Sequence, residues 1–310
     1  MATTDDALAR EFTEHRPHLV AVAYRLTSSI ADSEDAAQES WLRLAQLTPA
    51  ARAEIHDLRA WLTTVVGRIC LDRLRSATAR RERYVGPWLP EPLITPLPGQ
   101  DGEDPQDVAV RDDGVRMAAL VVLDQLSPEQ RVAFVLHDAF GLPFAEIAEL
   151  SGGTPEAARQ HASRGRRALA DADPPARVGL VQQRAVLSRF MDALASGDLA
   201  AVIETLHPHV VLTGDSGGKA RTARQFVTGA DNVARFSLGV LRRYSPEALS
   251  SPRFVLVNGD LGMIFPPLAG DADHPPLDHR VTTFAVRDGK LAALYDVVNP
   301  DKLTRVPLPG

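Results

Sequence analysis

The sequence predicts a multidomain chain: two all-α domains, the second a helix-turn-helix, followed by a small α+β cone. Three observations carry this. Apolar residues recur at helical spacing through residues 10–83 and again through 116–172. A stretch rich in Pro and Gly separates the two helical blocks. After Asp173-Pro174-Pro175 the pattern changes to two helices and then a series of short β-type runs. The expected boundaries are 1–84, 85–115, 116–175 and 176–310.

In the first block the apolar stripe runs through Phe12, Leu19, Val22 and Ala23, then Leu58, Leu62, Val65 and Ile69, with Trp61 expected in the core. The separator holds Pro87, Pro90, Pro92, Pro96, Pro98 and Pro105 with Gly86, Gly99 and Gly102, and reads as an exposed linker. In the second block Ser127-Pro128-Glu129-Gln130 is a capping box with Pro at the first helical position. Gly141 ends that helix, Pro143 opens the next, and Gly152-Gly153 ends it in turn. Thr154-Pro155-Glu156 caps a third helix that runs to about Leu169. In the last block helices near 179–195 and 199–206 precede β-type runs at Val210–Leu212, Phe254–Val257, Met263–Phe265, Val281–Val286 and Leu291–Val298. Arg287-Asp288-Gly289-Lys290 reads as a hairpin turn, so the sheet is expected to be antiparallel and curved.

Composition excludes several classes. Apolar residues make up 45% and charged residues 24% of the 310, which argues against a largely disordered chain. No stretch approaches the roughly 18 consecutive apolar residues of a membrane span. The acidic start, Met1-Ala-Thr-Thr-Asp-Asp, lacks the apolar core of a secretory signal. Cys70 is the single cysteine, so an intrachain disulfide and a Cys-rich zinc site are excluded. No His, Cys, Asp or Glu cluster has metal-ligand spacing; no metal, cofactor or catalytic residue is expected, and a cytoplasmic location is.

The net charge of −6 argues against a nucleic-acid partner only if charge is evenly spread, and it is not. Lysine occurs only at 219, 290 and 302, which leaves 31 of 34 basic residues as Arg, the side chain suited to phosphates and guanine edges. Residues 52–83 hold eight Arg and four acids, and the span 159–167 holds four Arg and no acid. The stretch from Asp101 to Asp113 carries six acids and one Arg.

The helices at 143–151 and 155–169, joined by a Gly turn, have the length and punctuation of a helix-turn-helix. Ala158, Ala162, Gly165 and Leu169 form a small-residue stripe expected to pack on the first helix of the pair. The opposite face presents Glu156, Arg159, Gln160, Ser163, Arg166 and Arg167, with Arg164 and His161 at its flanks, and the capping Thr154 and Arg164 are expected to join it in binding DNA. Such a helix can enter a major groove, early side chains on base edges and later Arg on phosphates. In the first block Arg59, Arg68 and Arg75 lie on a basic helix able to meet melted DNA. Upstream, Asp35, Gln38 and Glu39 share one helix face.

These segments resemble a known family. Asp35-Ala-Ala-Gln38-Glu39-Ser-Trp41-Leu42-Arg43 resembles the core-polymerase-binding helix of region two in extracytoplasmic-function sigma factors. Arg59-Ala60-Trp61-Leu62 through Asp72-Arg73-Leu74-Arg75 resembles the helix that melts the minus-ten element. Leu126–Arg131 and the 143–169 pair resemble region four, which reads the minus-thirty-five element. Trp88-Leu89-Pro90-Glu91-Pro92, Asp215-Ser216-Gly217-Gly218-Lys219 and Asn299-Pro300-Asp301-Lys302-Leu303 look like three signature motifs of a subgroup with a fused C-terminal SnoaL-like domain; the second departs from the pattern at Ser216, where Gly is usual. The resemblance implies two all-α sigma domains, a region-two bundle and a region-four helix-turn-helix, plus a SnoaL-like cone. It implies RNA polymerase core and promoter DNA as partners, no membrane, contacts through Asp35, Gln38, Glu39, Trp41 and Arg43, and a C-terminal domain that acts in place of a separate anti-sigma factor.

Two other readings of the C-terminal block remain. Gly214-Asp215-Ser216-Gly217-Gly218 matches the nucleophile-elbow pattern, but the block is too short for that sheet and its strands do not alternate with helices. A cone of this class can also enclose a pocket for a small-molecule ligand, with His207, His209, Asp215, Tyr295 and Asp296 as candidate polar groups. A stand-alone helix-turn-helix regulator with a ligand-sensing or enzymatic cone is the alternative function.

Overall fold

The structure, a computed structural model, describes residues 4–81, 84–99, 116–246 and 252–308, in two compact units. The acidic stretch 101–113 and the side chains of Arg80, Arg81 and Arg83 lie outside the described residues.

The first unit is all-α. Helix α1 (Thr4–Thr27) packs on α2 (Ile30–Ala45) and α4 (Leu58–Arg81), with the short α3 (Pro49–Ala53) between the last two. Ser29 caps α2 by accepting from the Asp32 amide at 3.2 Å, and Thr48 caps α3 in the same way. Leu19, Val22, Leu26, Leu62 and Val66 are fully buried where these helices meet. Each such side chain contributes about 1.5–3 kcal/mol by leaving water. Trp61 is only half-buried, which corrects the expectation that it belongs to the core.

Helix α5 (Met117–Leu123) leads into α6 (Pro128–Phe134), whose Ser127/Gln130 capping box forms with both bonds at 3.3 Å. One π-helical turn, Val135–Ala139, continues α6 before Gly141 (φ +70°) ends it. Helices α7 (Phe144–Ser151) and α8 (Pro155–Ala172) follow, separated by Gly152 in the left-handed region (φ +72°). Ala158, Ala162 and Gly165 of the small-residue stripe of α8 are buried and Leu169 is half-buried, but the stripe's closest approach is to α6 rather than to α7. A Cβ on Gly165 would stand 2.8 Å from the Phe134 Cβ.

The two helical blocks of this unit pack on each other. Arg131, 1% exposed, donates to the Arg25 carbonyl at 3.1 and 3.0 Å and to the Ser28 hydroxyl at 2.6 Å, and pairs with Asp124. Arg75 of α4 donates to Glu129 at 3.0 Å, and Thr64 to Glu146 at 3.3 Å. Gly67 lets α4 approach Leu136 so closely that a Cβ would lie 2.8 Å from its Cδ1.

The second unit is a seven-stranded sheet ordered β1-β4-β5-β6-β7-β2-β3, curled around helices. Its elements are β1 (Ile94–Thr95), α9 (Leu180–Ser196), α10 (Leu199–Thr205), β2 (Leu206–Asp215), β3 (Val227–Thr228), α11 (Ala230–Arg243), β4 (Arg253–Val257), β5 (Asp260–Phe265), β6 (Arg280–Arg287) and β7 (Lys290–Val297). The 287–290 hairpin forms as expected, with Asp288 (φ +51°) and Gly289 (φ +68°) at the turn.

Three expectations are corrected here. The sheet is mixed, because β2 and β7 run parallel. Helix α11 was not anticipated, although Val233, Ala234 and Leu238 bury one face of it. Finally, the part of the linker from Leu89 to Pro92 is not exposed: Leu89 is 0% exposed, Pro90, Glu91 and Pro92 are buried, and Ile94-Thr95 pairs with Val257-Leu256 as an edge strand of this sheet, whereas Val85 and Gly86 before it are exposed. Pro fits that edge because it has no donor to contribute to a ladder. Among the described residues no helix is long and apolar enough to cross a membrane.

Candidate DNA-reading face and linker clamp

The second helix of the helix-turn-helix, α8, turns its polar face outward. Thr154 caps it by accepting from the Ala157 amide at 3.2 Å, and Glu156, Arg159, Gln160, Ser163, Arg164, Arg166 and Arg167 are all exposed. Arg159 pairs with Glu156 at 3.3 Å and lies 5.6 Å from the Phe144 ring centroid, which holds it near the helix start. Arg166 is clamped by Asp138, on the π turn, through two bonds of 2.8 Å, and this pairing raises its pKa. Arg164 and Arg167 make no ion pair among the described residues. The face therefore carries two guanidiniums without an ion pair among the described residues, Arg164 and Arg167, two restrained by carboxylates, Arg159 and Arg166, and an uncharged amide at Gln160. A phosphate track with a base-reading amide needs that mixture.

On α4, Arg68 is exposed, while Arg59 donates to His18 at 3.0 Å and Arg75 is held by Glu129. His18 also bonds Thr63 at 3.0 Å. Its burial, and next the Arg59 charge, lower its pKa from 6.5 to about 4. Cys70 is wholly buried and its thiol is pushed up to about 12, so it is no nucleophile.

The acidic face of α2 forms as the spacing indicated. Asp35 and Gln38 are exposed and Glu39 is half-buried. Arg73 of α4 sits behind them, 3.1 Å from Asp32 and 3.8 Å from both Asp35 and Glu39. Arg43 holds Glu39 at 2.6 Å. Trp41 turns inward on Phe12, with centroids 5.1 Å apart, whereas Leu42 is 49% exposed and is the apolar member of the face.

In the second unit the three motif segments meet on one carboxylate. Asp215 ends β2 and is 0% exposed. Its Oδ2 accepts from the Leu89 amide at 2.8 Å and from Lys302 Nζ at 2.7 Å. Its Oδ1 accepts from the Tyr84 hydroxyl and from the Gly217 amide at 3.2 Å. Lys302 also donates to the Leu89 carbonyl and stands 3.6 Å from the Trp88 ring centroid. Asn299, 3% exposed, donates to the Tyr84 oxygen at 2.7 Å and caps the 3₁₀ turn Pro300–Lys302 through the Asp301 amide. Lys219 pairs with Asp301 outside this cluster. Gly217 needs its glycine twice: φ is +55°, and a Cβ would meet the Asn299 amide nitrogen at 2.7 Å. Gly218 approaches Val85 in the same way, with a Cβ position 3.1 Å from the Val85 Cβ. Leu303, 5% exposed, anchors the end of the turn.

Tyr84 escaped the sequence reading because nothing in its surroundings marks it; the signal lies in the opposite segment, where two glycines leave room for its ring and hydroxyl. Burial and the Asp215 carboxylate raise its pKa, which keeps the phenol a donor. The groups considered for catalysis do not gather. His207 and His209 stand with ring centroids 5.8 Å apart at the start of β2, Asp215 is enclosed by the clamp at its other end, and Tyr295 is buried. Ser216 accepts from the Gly218 amide at 3.2 Å as a turn residue. Asp296 faces a cavity, held by Thr222 at 2.6 Å and Thr282 at 3.1 Å.

Comparison with known proteins follows the same division. The family model for Sigma-70 region 2 matches residues 12–80, and that for Sigma-70 region 4 matches residues 116–169. The chain is 49% identical to the ECF RNA polymerase sigma factor SigJ of Mycobacterium tuberculosis (strain ATCC 25618 / H37Rv), over 96% of this chain and 94% of that relative. It is 33% identical to the probable ECF RNA polymerase sigma factor SigI of the same strain, over 96% and 95% respectively. A crystal structure of M. tuberculosis SigJ matches with a TM-score of 0.81 at 47% identity, covering 97% of this chain and all of that one.

Proposed function

The chain belongs to the extracytoplasmic-function RNA polymerase sigma factors and directs RNA polymerase to promoters in transcription initiation; on that premise we propose that its C-terminal cone sets this activity in cis through the linker clamp. Residues 1–84 act as region two, 116–175 as region four, and 176–310 as the regulatory domain that grips the 85–115 linker. RNA polymerase core meets the α2 face of Asp35, Gln38, Glu39 and Leu42, and promoter DNA meets α4 and the exposed face of α8. The work is done in the cytoplasm, and no catalytic step is assigned to the cone.

One observation supports the regulatory part most strongly: Asp215 and Lys302 together hold the backbone of Leu89 at both its amide and its carbonyl. A linker fixed at one point restricts how the two DNA-reading segments can be placed. In vitro transcription with core polymerase tests the reading, comparing the full chain with Lys302→Glu, which puts a second acid beside Asp215. The expected result is a changed yield or promoter preference with unchanged binding of core. Identical transcription by both chains would sink the regulatory role. Charge reversal at Asp35 and Glu39 is expected to abolish core binding while leaving duplex DNA binding intact.

A further inference from the structure

The cone holds two adjoining cavities whose walls differ in chemistry. The first has a volume of about 150 Å³ and is apolar, with Phe190, Leu212, Phe236, Met263, Phe265 and Leu294 on its walls. The second, about 300 Å³, is lined by Arg221, Arg224, Arg243 and Arg280. Phe236, Val240, Arg280 and Asp296 belong to both, so the two chambers share a wall.

From this pairing we infer that the cone binds an amphipathic anion: an alkyl or similarly apolar body in the first chamber, with a carboxylate-type head among the arginines of the second. Cores pack with few voids larger than a water molecule, and this one, walled by apolar side chains, has room for an apolar group. The head region carries four guanidiniums. The two carboxylates beside it are already engaged, Asp296 by Thr222 and Thr282, and Asp278 by the Arg221 amide at 3.0 Å. Arg280, 7% exposed, is the bridging residue. Its bonds to Asp296, the Arg221 carbonyl and the Asp278 carbonyl are all long, at 3.4, 3.2 and 3.5 Å, so a second, stronger acceptor can take them over. Tyr244 backs it with its ring centroid 5.7 Å away. Thr222, which lines the head region, packs against Gly214 next to Asp215.

The inference deepens the reading of the cone as a regulatory unit, but the binding itself is measured without polymerase, so its failure leaves the clamp test standing. Isothermal titration of the full chain with sodium decanoate, below micelle concentration, is the direct experiment. Acetate and decyltrimethylammonium serve as the head-only and opposite-charge controls. Saturable one-site binding of decanoate is expected, at least tenfold tighter than either control. Arg221→Glu and Arg243→Glu, both at exposed positions, are each expected to weaken it at least tenfold. Absence of saturable decanoate binding, equal binding of the cationic amphiphile, or indifference to both substitutions would each overturn the site.

Discussion

Lys302 places its ammonium 2.7 Å from the wholly buried carboxylate of Asp215 and 3.6 Å from the centroid of the Trp88 ring. A buried ion pair of this kind offers little net stability over an apolar isostere, yet removing one partner strands the other. Lys302→Met is therefore expected to cost about 3–5 kcal/mol in urea unfolding of the full chain. Adding Asp215→Asn should recover part of that loss, because the stranded charge is then gone while the amide nitrogen cannot replace both accepted bonds. Limited proteolysis reads the linker separately: cleavage within 84–99 should rise in the single variant. An unfolding curve unchanged by Lys302→Met would show that the pair is not the anchor.

Arg166 is restrained by Asp138 on the solvent-exposed face of α8. Neutralising that acid with Asp138→Asn frees a guanidinium for phosphate. Non-specific duplex affinity is expected to rise severalfold, and the slope of log K against log salt to steepen by about 0.9, the value for one added phosphate contact. An unaltered slope would mean that Arg166 stays off the DNA.

His18 gives the first unit a pH dependence with a defined sign. Its pKa in the fold is about 4 against 6.5 ordinarily, so between those values the unfolded chain binds more protons than the folded one. Its contribution to stability is full above about pH 6.5 and is lost as pH falls toward about 4. His18→Gln removes this titration. The melting temperature of the variant should fall less steeply from pH 7 to pH 4.5 than that of the natural chain, and parallel curves would exclude the effect.

The sequence made some of this legible and concealed the rest for physical reasons. Local signals were reliable: the Ser127/Gln130 box, the Gly152 turn and the Asp288-Gly289 hairpin are fixed by neighbours in the chain and formed as read. Pairings between distant segments were not. The parallel partnership of β2 and β7 leaves no mark in either strand's alternation. Pro-rich composition suggested an exposed linker, yet residues 88–95 are held by groups more than 100 positions away, with Asp215 and Val257 among them. The three motifs themselves were visible as signatures; what the fold supplies is their meeting and its chemistry, one carboxylate serving two segments, and the unannounced Tyr84. On α2 the motif drew attention to Trp41, whereas helical phase turns Trp41 inward and Leu42 outward.

The exposed face of α8 yields a last prediction, because its residues divide by role. Gln160 can donate and accept toward a base edge, and Arg159, steadied by Glu156 and Phe144, lies at the end of the helix that enters a groove first. Arg167 lies two turns further on, exposed and unpaired among the described residues, where the helix would pass the phosphate backbone. Gln160→Ala or Arg159→Ala should lower affinity for the cognate upstream element by about 1–3 kcal/mol while barely changing affinity for unrelated duplex. Arg167→Ala should weaken both alike and reduce the salt slope by about one. Binding isotherms of the three variants on a library of single-base changes at several salt concentrations separate the two patterns. Matching sequence profiles for Gln160→Ala and Arg167→Ala would mean that α8 meets DNA by a different face.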